Sequence, residues 1–127
     1  MYGEEQEARQ MQTIEAGGLV FEAESRTLGA DGGPALLVFG EVDGDRIQIL
    51  RFDCFRDSPH YHYDPTGKNE VHQMENGLDS VAWTVDQVRT SVDKMIRTAG
   101  YEAVANQVDM SVVSDAADDI AQALRGS

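Results

Sequence analysis

His60, His62 and Asp64 recur at every second position in the segment Pro59-His60-Tyr61-His62-Tyr63-Asp64-Pro65. Side chains alternate between the two faces of an extended strand. This spacing therefore puts three metal-ligating groups on one side and Tyr61 and Tyr63 on the other. The two imidazoles would stand about 7 Å apart at the backbone, a span that one metal ion bridges. Glu70 and His72, the chain's third histidine, can return from the following segment to complete the shell. Two histidines and a carboxylate with open positions suit zinc, manganese or iron. The chemistry would be metal binding or metal-dependent hydrolysis.

The pairing register across the turn at Asp57-Ser58-Pro59 decides which other groups join. One register sets Cys54 beside His62, which brings a thiolate. A slip of one residue sets Phe55 beside His62 and Asp53 beside Asp64, a carboxylate-rich site. Arg51 and Asp53 share a face of the preceding segment. With Cys54 and the walls Tyr61 and Tyr63, they outline a pocket for a small molecule. Two known patterns are not met. Pro65 stands where metallo-β-lactamase-like hydrolases carry a further histidine after His-x-His-x-Asp. Glu70 comes too late and His72 too early for a cupin.

These residues need a strand, and the flanking sequence supplies a sheet. Leu19, Phe21 and Ala23 alternate with polar neighbours, Ala35 to Val42 is apolar enough for a central strand, and Arg46 to Phe55 forms a third. His60 to Tyr63 is the fourth, and Glu70 to Glu75 an edge. Asp43-Gly44 is a two-residue hairpin turn, while the glycines between Leu28 and Pro34 read as a loop. After Asn76-Gly77 the period changes: Val85, Val88, Val92, Met95, Ile96 and Ala99 form one helical stripe. A helix over 84–99 follows, with Thr84 and Gln87 as capping box and Gly100 as stop. Shorter helices are expected over 101–108 and 114–124. The class is α+β: an antiparallel meander of four to five strands (18–75) with C-terminal helices on one face. The whole chain, 1–127, reads as one domain, with residues 1–16 a frayed arm or short helix.

Composition sets the context. A net charge of −13 repels nucleic acid and headgroup surfaces, and attracts a basic protein. The longest apolar run, Ala35 to Phe39, falls far short of the roughly 20 residues of a membrane span. The acidic N-terminus has no apolar core, so no secretory signal is expected, and the single cysteine, Cys54, suits a reducing cytoplasm. No complete catalytic set is visible. The leading expectation is therefore a non-catalytic association module, a homodimer able to take a basic partner. Metal binding through His60-x-His62-x-Asp64 and a small-molecule site around Arg51, Asp53 and His62 are the alternatives.

Overall fold

A computed structural model describes residues 11–75 and 77–127. Six antiparallel strands run in chain order across one sheet: β1 (Gln12–Ala16), β2 (Leu19–Leu28), β3 (Asp31–Val42), β4 (Asp45–Asp53), β5 (His60–Tyr63) and β6 (Glu70–Gln73). Helices α1 (Ser80–Thr98), α2 (Glu102–Gln107) and α3 (Met110–Arg125) follow. The α+β meander is as expected, but the strands number six rather than four to five. The extra one is β1, where an arm or short helix was expected. Ala16 is buried and Ile14 packs against the core, and the glycine pair Gly17-Gly18 turns the chain into β2. The rest of that arm, residues 1–10, lies outside the described residues.

The glycine-rich stretch before Pro34 is strand rather than loop. Only Gly29 and Ala30 form the turn, since Leu28 already pairs with Asp31. A Cβ at Gly33 would run into the carbonyl oxygen of Cys54. Glycine there lets the chain after β4 lie directly against β3, a close approach no other residue permits. The Asp43-Gly44 turn is as read, with both residues at positive φ, the conformation two-residue hairpins demand.

One face of the sheet forms the core. Phe21, Leu36, Val38, Leu50 and Phe52 meet Val85, Val88, Val92 and Ile96 of α1 and Val113, Ala117, Ile120 and Leu124 of α3. A register shift between Val38 and Phe39 lets both Ile49 and Leu50 reach this core. Each large side chain so buried contributes about 1.5–3 kcal/mol. The stripe predicted for α1 is the face that is buried. Its start differs: Asp79 caps it by accepting from the Ala82 N–H at 3.1 Å, and Thr84 is a wholly buried residue one turn inside. Trp83 thereby reaches Phe52 and Tyr61. The end is as read: Gly100 N–H bonds to Arg97 O and Tyr101 N–H to Ile96 O, with Gly100 at φ +105. Asp109 caps α3, which begins four residues before the expected start.

All three helices pack on this core face. The other face carries Glu22, Glu24 and Arg26 of β2, Leu37 of β3, Arg51 and Asp53 of β4, and His60 and His62 of β5. Among the described residues no helix is long and apolar enough to cross a membrane.

Candidate metal centre

The β4–β5 pairing builds the site. Arg51 stands opposite His62 and Asp53 opposite His60, so these four side chains share one face of the sheet. Neither register expected from the sequence occurs, because the connection from Cys54 to Pro59 is longer than a tight turn. Cys54 N–H still bonds to Pro34 O and Arg56 N–H to Gly32 O, so the chain keeps following β3 past the end of β4. The Asp31 carboxylate then holds the Asp57 and Ser58 N–H groups at 3.0 and 2.9 Å, fixing where β5 begins. Asp53 thus lies beside the histidines, and Cys54 does not.

Asp53 is the centre of the cluster. It is 2% exposed, and its Oδ2 lies 2.9 Å from His60 Nε2 and 3.2 Å from His62 Nε2. One ligand atom from each of Asp53, His60 and His62 falls within 4.8 Å of the others. Its second oxygen, Oδ1, is buried without a hydrogen-bond partner among the described residues; Arg26 Nε approaches it only to 3.9 Å. A buried carboxylate oxygen left in this way costs free energy unless a cation meets it.

Both imidazoles are oriented from behind. His60 Nδ1 lies 2.8 Å from the Ser58 carbonyl oxygen, which only accepts, so Nδ1 carries the proton. His62 Nδ1 lies 2.7 Å from Asn69 Oδ1 and takes the same tautomer. Each ring therefore turns its Nε2 toward Asp53. Arg51 donates to two of these converging acceptors, His62 Nε2 at 3.0 Å and Asp53 Oδ2 at 3.3 Å, and leaves His60 Nε2 facing Asp53. A proton on His60 Nε2 or a metal ion completes that contact. An Nδ1–H anchored to a carbonyl with Nε2 free is also how metal-ligating histidines are held. Two further contacts complete the surroundings: Arg51 donates to His62 Nε2 at 3.0 Å, and the Phe55 ring stands edge-on to His60 at 5.4 Å.

Of the expected ligands His60, His62, Asp64, Glu70 and His72, the structure brings the first two together and sets the other three apart. His60 and His62 look the same way, as period two required. Asp64 does not follow them, because the strand ends at Tyr63 and Asp64 adopts φ +54. Its carboxylate instead accepts from Lys68 N–H at 2.8 Å and from the Tyr101 hydroxyl at 2.7 Å. Those two hydrogen bonds hold the Asp64 carboxyl below its ordinary range, while the bond to Asp64 pushes Tyr101 up to about 12. Glu70 and His72 pair with Tyr63 and Tyr61 and so lie on the core side, where His72 stacks on Tyr61 at 5.3 Å.

The pocket residues divide in the same way. Arg51 and Asp53 belong to the site. Tyr61 and Tyr63 face the core side, with Tyr61 packed against Phe52 and Trp83. Cys54 is buried, its sulfur 3.4 Å from Thr84 Oγ1 and 3.6 Å from Ser80 O, and burial pushes its thiol up, away from nucleophilic use. Asn69, Ser58 and Arg26 carry roles the spacing did not reveal. Asn69 sits in the turn before β6 at φ +52, a conformation asparagine tolerates, and only its side-chain oxygen ties it to the site.

A family model described as a domain of unknown function (DUF7700) matches residues 13–124. No curated protein and no solved structure matches the chain.

Proposed function

Since the chain belongs to the DUF7700 family, whose description names no activity, we propose from the geometry that it binds a divalent transition metal through Asp53, His60 and His62. The observation that carries this is the convergence of both Nε2 atoms on Asp53 Oδ2 at 2.9 and 3.2 Å, with both Nδ1–H groups engaged elsewhere.

Those separations match the ligand spacing of a first-row metal ion. Ligands about 2.1 Å from an ion stand about 3.0 Å apart at right angles and about 3.4 Å apart at the tetrahedral angle. The 2.9 Å pair lies at the first value and the 3.2 Å pair midway between the two. Two histidines and a carboxylate would suit iron, manganese or zinc, and leave room for further ligands. The role as an acidic association module draws on the charge of −13 and on the lack of a complete catalytic set in the sequence, and names no surface. The metal reading rests on three named side chains.

Elemental analysis of protein purified without an affinity tag tests it. Bound iron, manganese or zinc in near-equimolar amount, or uptake of one of them by the metal-free protein, supports the reading. Metal-free protein that takes up none of the three overturns it.

A further inference from the structure

Arg51 lies where a metal ligand's neighbour is normally neutral or acidic. Its guanidinium donates to His62 Nε2 at 3.0 Å, and its Nε lies 3.3 Å from Asp53 Oδ2. A metal bound at His62 takes the lone pair that this N–H uses. Arg51 then has a free donor beside a second cation, and both press on a region that already holds Arg26. Among the described residues, the carboxylates paired with these two arginines are Glu24, 2.9 Å from Arg26, and Asp53. The loaded site is therefore a positive spot on a chain of net charge −13. An anion set between metal and guanidinium relieves the repulsion.

Resting on the metal reading above, we infer that the loaded site binds a small carboxylate, one oxygen on the metal and the other on Arg51. A guanidinium is a planar fork of donors that matches a carboxylate in plane. Asp53, His60 and His62 lie on the side of the sheet opposite the helices, so a further ligand there would not displace the core. Arg51 is free to turn toward it, with about a fifth of its side chain exposed at the rim while Asp53 is 3% exposed beneath. Leu37, Arg51's partner across β3, gives the ligand's carbon end an apolar neighbour.

Co2+ serves as metal and acetate as carboxylate probe, at constant ionic strength, with sulfate as the anion control. Visible absorption of the Co2+-loaded protein follows acetate binding in wild type, Arg51→Gln and Arg51→Lys. The expected result is a saturable shift in wild type, an acetate Kd raised about tenfold or more in Arg51→Gln and partly recovered in Arg51→Lys, and Co2+ affinity equal or tighter in both variants. Removing a cation from beside the metal cannot weaken its binding electrostatically, which separates this effect from misfolding. Equal acetate affinity in wild type and Arg51→Gln overturns the inference while leaving the metal reading intact. Sulfate binding as tightly as acetate overturns the carboxylate assignment. Failure of Co2+ to bind at all overturns the metal reading and this inference with it.

Discussion

The Tyr101 hydroxyl donates to Asp64 Oδ1 at 2.7 Å, joining the chain just past α1 to the turn that ends β5. This bond explains why the third residue of the His-x-His-x-Asp run is no ligand: its carboxylate is committed to structure. Tyr101→Phe should lower stability by about 1–2 kcal/mol, because it removes a hydrogen bond to a charged group. Metal binding should be unaffected. Thermal melts and metal titration of the same variant check both.

The same pair sets a pH dependence at each extreme. Tyr101 is raised from about 10 to about 12, so its contribution is complete below pH about 10 and is lost as pH rises through about 12. Asp64 is lowered, so its contribution is complete above pH about 4 and is lost as pH falls through the folded value. Denaturant midpoints of wild type should therefore fall between pH 10 and 12, as Tyr101's about 2-unit rise requires, and Tyr101→Phe should show a shallower fall there. Identical slopes would contradict the assignment.

Asn69 is expected to act on the metal only through His62. Asn69→Gly keeps the left-handed backbone and removes the oxygen that holds Nδ1–H. Metal affinity should fall about 10- to 100-fold. Asn69→Asp, which retains an acceptor, should restore most of it. Calorimetric titration of the two variants beside wild type decides; equal affinity in all three would remove Asn69 from the site.

His72 separates the two faces of the sheet. Alanine at His60 or His62 should cost metal affinity by more than about 100-fold, since each removes a direct ligand. His72→Ala should leave affinity unchanged and lower the melting temperature slightly through loss of stacking on Tyr61. A loss of metal affinity in His72→Ala would place the centre on the other face.

Gly33 tests how the site is held. Gly33→Ala puts a methyl group against the Cys54 carbonyl, and should destabilise by about 2 kcal/mol or more. Cys54 follows Asp53 directly, so metal affinity should drop along with stability. Urea denaturation and metal titration read the two effects.

Much of this architecture is legible in residue spacing. Period two through His60–Tyr63 divides imidazoles from phenols, and the Val85–Ile96 stripe is the buried face of α1. Asp43-Gly44 and Gly100 mark their turns through backbone conformations that most residues avoid. The centre was only partly legible, for reasons that lie in tertiary contact. The β4–β5 register depends on Asp31 gripping Asp57 and Ser58, residues 26 and 27 positions away. Asp64 leaves its strand because Lys68 and Tyr101 offer its carboxylate better partners than a metal face would. β1 is short and mostly polar, and only its pairing with β2 makes it a strand.

Titration of metal-free, untagged protein with Co2+, followed by visible absorption, is the most direct test of the Asp53–His60–His62 centre. The expected result is a spectral change that saturates at equimolar Co2+ and is lost in His62→Ala. No spectral change on adding Co2+, or the same change in a variant lacking both His60 and His62, would contradict it.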